Sequence, residues 1–128
     1  ICSELFDRGD AYDVLKQKNA IEFASTSFIR GITMNDCYVI VDEMQNMTFQ
    51  ELDSVITRIG RNCRVIFCGD FRQSDLQRDF EKNGVLNFMK VIDRLNDFVY
   101  VDFKESDIVR SKLVKEYIIA RQNLGLQS

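Results

Sequence analysis

The chain has 128 residues, with four cysteines and no histidine, proline or tryptophan. Its formal net charge is −3 and its pI is about 5.0, so binding of nucleic acid would require a local basic patch. The lack of histidine excludes Ser-His-Asp triads, Cys-His pairs and His-ligated metal sites. Length and composition indicate a single globular domain over residues 1–128.

Helical and strand patterns alternate along the chain. The first predicted helix covers Asp10–Lys18, with Asp10 as its N-cap, and the first predicted strand covers Ala20–Ala24. A polar connector at Ser25–Asn35 then leads to Cys37–Val41. That run is largely β-branched and apolar, which is typical of a buried parallel strand.

The middle of the chain predicts a helix and a second buried strand. Thr48 and Glu51 have the spacing of a capping box, so a helix is expected from Thr48 to about Ile59. Gly60 is well placed as the residue after its last turn. The next apolar run, Arg64–Cys68, predicts the second strand.

The last part of the chain predicts two helices and a third strand. Residues 74–83 are polar and charged and indicate a loop, and Gly84–Leu95 is predicted to be helical. Phe98–Phe103 predicts a strand and Asp107–Gln122 a closing helix. Strands that alternate with helices indicate an α/β fold with a parallel sheet covered on both faces.

Cysteine spacing and hydropathy indicate the compartment. The chain has no CxxC pair, and Cys37 and Cys68 lie in apolar runs where a reduced cysteine acts as a small hydrophobe. We therefore expect a reducing, cytoplasmic location. No apolar stretch approaches the roughly 18–20 residues that span a bilayer, so no membrane association is expected. The first residue is Ile1 rather than Met, which predicts either a piece of a larger protein or a processed product.

Two acids follow the first buried strand. Asp42 and Glu43 come directly after Val39–Val41, an arrangement typical of a Walker B motif. The carboxyl edge of a parallel sheet is where open α/β folds bind ligands. There, one acid can hold Mg²⁺ through water and the next can orient or deprotonate an attacking water. The alternative is that both acids merely end a strand and solvate its loop.

A second strand end repeats this pattern. Asp70 follows Gly69 at the end of Arg64–Cys68, and Gln73 comes three residues later. A side-chain amide at that point can approach a γ-phosphate and its attacking water, whereas the alternative is an ordinary exit from strand to loop. The helix between the two strands suits a right-handed crossover. Together the two strand ends favour a phosphoryl-transfer site at one edge of the sheet.

Four blocks in order resemble the PhoH family of P-loop ATPases, which are related to superfamily-one helicases. The blocks are Ile21–Ala24 with Phe28–Thr33, Val39–Thr48, Thr57–Gly60 with Gly69–Leu76, and Asp107–Val114. The resemblance runs from about Ala20 to Ala120. It implies a parallel-sheet P-loop NTPase core of the RecA or helicase-like type.

Three departures qualify the resemblance. The chain has no G-x-x-x-x-G-K-[ST] segment, which in the family lies upstream of these blocks, so the core is expected to lack the P-loop strand. Ser111 and Lys112 stand where the family has His-Pro, and Ile32 stands where it has a second arginine. Arg110, next to the first of these changes, is retained.

The resemblance implies ATP and Mg²⁺ as cofactors and assigns residue roles. Asp42 would contact Mg²⁺ through water, Glu43 would be the catalytic carboxylate, and Gln73 would sense the γ-phosphate. Gln45 and Asp70 would belong to the nucleotide site. Arg110 would approach the phosphates as an arginine finger. Its alternative is a solvated arginine at a helix N-terminus, where the helix dipole disfavours a cation.

The connector after the first predicted strand carries a possible nucleic-acid contact. Related helicases use such segments to touch the nucleic-acid backbone, and Thr26 and Arg30 are suitable partners for phosphate. The resemblance therefore implies RNA or single-stranded nucleic acid as a partner. The alternative is a plain surface loop.

The leading hypothesis is the C-terminal part of a PhoH-like ATPase domain, inactive alone and coupling ATP to work on RNA or single-stranded nucleic acid. An alternative is a P-loop-less structural or protein-binding module, which self-association through an exposed sheet edge into a homo-oligomer would favour. A metal-dependent nuclease built on Asp42, Glu43 and Asp70 is a weaker alternative. It gives no role to Gln73 or Arg110.

Overall fold

A computed structural model describes residues 1–69 and 83–126. Its elements in chain order are α1 (Cys2–Phe6), α2 (Ala11–Gln17), β1 (Tyr38–Val41), a 3₁₀ turn (Met44–Asn46), α3 (Phe49–Ile56), β2 (Arg64–Phe67), α4 (Asn83–Ile92), a second 3₁₀ turn (Glu105–Asp107) and α5 (Lys112–Asn123). The α/β class is confirmed. The loop predicted at 74–83 falls outside the described residues except for its last position.

The chain divides into two compact units. The first comprises residues 1–40 and 53–66, and the second comprises residues 41–52 and 67–128. Among the described residues, the buried apolar side chains of the first unit are Ala11, Ile29 and Val55. Those of the second unit are Val41, Met44, Leu52, Val85, Phe88 and Ile92. Phe67 adds to the second set, since its ring meets the Phe88 ring edge-on at 5.1 Å between centroids.

Strands β1 and β2 are hydrogen-bonded neighbours in a two-stranded sheet. The Arg64 N–H donates to the Cys37 carbonyl at 3.1 Å, and the Cys68 N–H donates to the Val41 carbonyl at 2.8 Å. In both bonds the donor residue follows the acceptor residue by the same number of positions. The strands therefore run parallel, as the two β-branched runs predict. An isolated parallel bridge between Met34 and Ile59 extends the pairing upstream.

One face of this sheet is open to solvent. Tyr38 is 72% exposed, Ile40 67% and Ile66 47%, whereas Val41 on the opposite face is buried. The prediction of a sheet covered on both faces is therefore wrong for this face. The reason is that, among the described residues of the first unit, no helix covers these side chains.

The capping box at the start of α3 is confirmed. The Thr48 N–H donates to the Glu51 carboxylate at 2.8 Å, and the Glu51 N–H donates to the Thr48 hydroxyl at 3.3 Å. These bonds satisfy two of the amides that a helix N-terminus leaves without partners. The helix ends at Ile56, earlier than predicted, because Ile59 joins the bridge to Met34.

Gly60 has a different role from the predicted helix stop. Its N–H donates to the Met34 carbonyl at 2.7 Å, so two stretches of backbone approach closely here. A Cβ at this position would lie 2.6 Å from the Met34 carbonyl oxygen and 2.8 Å from Cγ2 of Thr33, and would also meet the Asn35 side chain. Only glycine fits this approach.

A Gly60→Ala variant is expected to lose about 2 kcal/mol of unfolding free energy, because the added methyl group overpacks against backbone. Urea denaturation of the purified chain measures this loss. Gly9→Ala is the matched control, since nothing lies within 4 Å of a Cβ built there. Equal stability of the two variants would contradict the close approach at Gly60.

Two predicted strands are not strands. Ala20–Ala24 and Phe98–Phe103 have no strand assignment. Val99 is 87% exposed and Val101 75%. Phe23 is 78% exposed, and its ring lies 5.6 Å from that of Tyr12. A strand needs a neighbour for its backbone hydrogen bonds, and in the described part of the chain neither segment has one.

Helices α3 and α4 end three residues earlier than predicted, at Ile56 and Ile92, and two other helices differ at their starts. Asp10 precedes α2 but does not cap it, because its carboxylate binds the Arg8 guanidinium at 2.8 and 2.9 Å. The closing helix begins at Lys112 rather than Asp107, and the Ser111 side chain caps it. Helix α1 has no counterpart among the predictions. Across residues 1–69 and 83–126, every helix is too short or too polar to cross a lipid bilayer.

Candidate functional site

The acidic pair lies on a turn that is fixed at both ends. Val41, the last residue of β1, accepts a hydrogen bond from the Cys68 N–H at 2.8 Å. The Met44 N–H, on the other side of the pair, donates to the Cys68 carbonyl at 3.0 Å. Val41 and Met44 are both buried. Asp42 and Glu43 are therefore held at the carboxyl end of β1 by one residue at the end of β2.

Glu43 adopts a backbone conformation that is unusual for its residue type. Its φ is 53° and its ψ 38°, in the left-handed region. The other described non-glycine residues with positive φ are all Asp or Asn: Asp7, Asn19, Asp36 and Asn62. Those residue types tolerate the region, whereas for glutamate it costs about 1 kcal/mol. Such strain persists only where the surroundings impose it, and it is concentrated at functional sites.

Side-chain hydrogen bonds complete the turn. The Asp42 Oδ1 accepts from the Glu43 N–H at 2.9 Å, and the Gln45 Nε2 donates to the Glu43 Oε2. Both carboxylates are exposed, and Gln45 is half-buried. Gln45 therefore orients the Glu43 carboxylate, and the Asp42 carboxylate faces solvent beside it.

The donor set suits a magnesium ion that keeps most of its water. Within residues 1–69 and 83–126, no three cysteine, aspartate or glutamate side chains gather as a metal cluster. Asp42 uses one oxygen for the Glu43 amide and keeps carboxylate oxygen for a hard cation. Mg²⁺ is commonly bound by one or two carboxylates together with waters and substrate phosphates. The residues present fit that mode.

Two predicted site residues lie outside the described residues. Asp70 and Gln73 fall within residues 70–82, which lie between the two described ranges. Their roles stay predictions from the sequence.

Arg110 is described, but it does not touch the acidic pair. It is exposed and precedes Ser111, the N-cap of α5. Within the described residues, its guanidinium donates to the carbonyl of the neighbouring Val109 at 3.2 Å. Arg110 therefore lies before the helix rather than in its first turn.

Thr26 and Arg30 lie on two consecutive turns of the first unit. The Phe28 N–H donates to the Ser25 carbonyl at 3.0 Å, and the Ile32 N–H donates to the Ile29 carbonyl at 3.3 Å. Gly31 has a φ of 82°, which the third position of a type II turn requires. Arg30 is exposed at the second position of that turn, and Thr26 is half-buried.

Sequence reasoning missed a thiol pair. The Cys37 and Cys63 sulfurs lie 3.6 Å apart. The signal was present in the sequence, since each cysteine comes directly before the first residue of β1 or β2. Burial, followed by the adjoining Cys63 thiol, raises the pKa of the Cys37 thiol.

Comparison with known proteins gives the family. A model of the PhoH-like protein family matches residues 3–122. The chain belongs to the PhoH-like family. It is 31% identical over 106 residues to a PhoH-like protein of Mycobacterium leprae, which covers 83% of this chain and 30% of the relative. It is 32% identical over 111 residues to a PhoH-like protein of Bacillus subtilis, covering 87% and 34%. For the Protein PhoH of Escherichia coli K12 the identity is 33% over 100 residues, covering 78% and 28%.

Membership in the PhoH-like family, a family of P-loop ATPases, confirms the resemblance. The matched range includes every residue that the sequence assigns to the site. The chain spans about a third of the length of the curated relatives it matches.

Proposed function

We propose that this PhoH-like chain supplies the Walker B part of a Mg-ATP hydrolysis site. The observation that carries the proposal is the strained turn at Asp42 and Glu43. A left-handed glutamate, with its carboxylate held by Gln45 and its backbone tied to Cys68 through its neighbours, is a preorganised acid at a strand end. Catalysis of phosphoryl transfer depends mainly on groups that are positioned in this way before the reaction.

Each predicted residue has a role in this proposal. Asp42 holds Mg²⁺ through water, and Glu43 accepts the proton of the attacking water or orients it. Gln45 positions Glu43. Gln73 and Asp70 act at the γ-phosphate and the nucleotide, and Arg110 stabilises transferred charge as an arginine finger. Mg²⁺, when bound, neutralises charge that develops on the phosphate oxygens.

The same proposal requires a P-loop from outside these 128 residues. The sequence holds no G-x-x-x-x-G-K-[ST] segment. The backbone N–H groups and the lysine of that segment bind the phosphates, and its hydroxyl binds Mg²⁺. This chain is then the C-terminal part of a PhoH-like ATPase domain, with little activity alone.

The experiment compares two proteins. The first is the 128-residue chain, which is expected to bind Mg-ATP with a Kd weaker than about 1 mM and to show no turnover. The second, called the joined protein below, carries the P-loop segment of a family member such as the Bacillus subtilis relative in front of residue 1. It is expected to hydrolyse ATP in a magnesium-dependent reaction, followed as phosphate release.

Two outcomes would contradict the proposal. One is measurable turnover by the 128-residue chain alone, because the missing P-loop would then be dispensable. The other is a joined protein that folds cooperatively and binds Mg-ATP but does not hydrolyse it, because the carboxylates supplied by this chain would then not be catalytic.

RNA or single-stranded nucleic acid is the partner we propose for the first unit. The support is the exposed position of Arg30, on the turn that follows the turn of Thr26 along the chain. A guanidinium and a hydroxyl are common partners of backbone phosphates. At a net charge of −3, such a contact is local and salt-sensitive.

One observation favours the second candidate, a protein-binding module that forms a homo-oligomer. The exposed sheet face carries Tyr38, Ile40 and Ile66, and exposed apolar patches commonly mark interaction sites. A joined protein without ATP hydrolysis, together with self-association that Ile40→Ser abolishes, would favour this candidate over the ATPase.

A further inference from the structure

We propose that Cys37 and Cys63 are a modification site, at which a peroxide oxidises the two thiols to a reversible disulfide. The two sulfurs lie 3.6 Å apart, at residues that are 26 positions apart in the chain. All four cysteines lie among the described residues and are free thiols. Within that part of the chain this is the only contact between two thiols, so the reaction is selective for this pair.

The strand register explains why the sulfurs meet. In the parallel pairing of β1 and β2, the Arg64 N–H donates to the Cys37 carbonyl, which places Cys63 beside Cys37. Side chains of directly paired residues point to the same face of a sheet. Both cysteines are half-buried, so they are shielded from bulky reagents and reachable by a small oxidant.

Hydrogen bonds hold the two sulfurs in contact. The Cys63 thiol donates to the Met34 carbonyl at 3.0 Å. Its sulfur can therefore accept a hydrogen bond from the Cys37 thiol. A disulfide has an S–S length of about 2.05 Å, and the sulfurs must therefore approach by about 1.5 Å from their separation of 3.6 Å. Rotation about the two Cα–Cβ bonds supplies movements of this size.

The reaction balances with hydrogen peroxide as oxidant. One thiol loses its proton and its sulfur attacks the peroxide, so that an S–O bond forms and the O–O bond breaks. The hydroxide that leaves takes up the proton as water, and a sulfenic acid remains. The second sulfur then attacks the first, the S–S bond forms and the S–O bond breaks, with loss of a second water. In total, two thiols and one peroxide give one disulfide and two waters, and a dithiol reductant reverses the change.

The test oxidises the purified chain with hydrogen peroxide and maps its peptides by mass spectrometry without reduction. The expected result is a single linked pair, Cys37 with Cys63, with Cys2 and Cys68 recovered as thiols. Closing a loop of this length is expected to raise the Tm by on the order of 10 °C. Dithiothreitol should return both the thiols and the Tm to their starting values.

Three variants test which cysteines form the disulfide. Cys37→Ser and Cys63→Ser should show no rise in Tm on oxidation, whereas Cys68→Ser, a half-buried cysteine outside the pair, should behave like the parent chain. Peptides linked through Cys2 or Cys68 would overturn the proposal. So would sulfinic acid at Cys37 or Cys63 in place of the link. Because the mapping is done on the parent chain, the test does not depend on the variants folding.

Discussion

In the joined protein, Glu43→Gln is expected to lower the kcat of ATP hydrolysis by at least about 100-fold while leaving the KM for Mg-ATP within a few-fold. The amide keeps the size of the side chain, but it cannot accept a proton. The loss therefore falls on the chemical step rather than on binding. Steady-state phosphate release over a range of Mg-ATP concentrations measures both constants.

Controls separate chemistry from folding. Glu116→Gln is the matched control, because Glu116 is an exposed glutamate on α5 that pairs with Lys112 at 3.8 Å. It should keep the parental kcat. Gln45→Ala should lower kcat less than Glu43→Gln does, since it removes only the group that holds the Glu43 carboxylate. A Glu43→Gln protein with a kcat within twofold of the parent would remove Glu43 from the catalytic role.

A catalytic role and a structural role for Glu43 predict different effects of Glu43→Gln on stability. Its left-handed backbone is set by bonds of the neighbouring residues to Cys68 rather than by its own side chain. Gln at this position has the same backbone strain as Glu, so the melting temperature should not change. A loss of activity without a loss of stability is what a reacting group predicts.

The elements that could be predicted are those whose cause is local. Two β-branched runs predict β1 and β2, and the Thr48 and Glu51 pair predicts the start of α3, because a capping box needs only residues three apart. The same holds for the acidic pair, whose place follows from the end of a strand. These features depend on few distant partners.

The predictions that are wrong concern segments whose structure depends on residues outside the segment itself. Phe98–Phe103 has strand composition, but in the described residues no strand lies beside it. Asp10 is a good N-cap by type, but its carboxylate binds Arg8 instead. The close approach at Gly60 depends on Met34, far away in the chain. In each case a residue outside the predicted segment, or the lack of a partner strand, decides the outcome.

The sequence brings only some of the candidate site residues together, for the same reason. Asp42, Glu43 and Gln45 are neighbours in sequence and meet on one turn. Arg110 is distant in sequence, and its guanidinium donates to the neighbouring Val109 carbonyl rather than to the acidic pair. The strain at Glu43 had no sequence signal, since it comes from the pairing of Val41 and Met44 with Cys68.

Leu52→Ala is expected to lower the unfolding free energy by about 3 kcal/mol and the Tm by about 10 °C. Leu52 is 0% exposed and is one of the largest fully buried side chains in the described residues. Truncation removes apolar contacts and leaves a cavity that the surrounding residues fill only in part. Urea denaturation followed by circular dichroism measures the change.

Leu113→Ala is the matched control, because it makes the same chemical change on α5 at a leucine that is 76% exposed. It should change the unfolding free energy by less than about 0.5 kcal/mol. The difference between the two variants isolates burial, since helix propensity favours alanine similarly at both sites. If both variants lost the same free energy, Leu52 would not be part of the core.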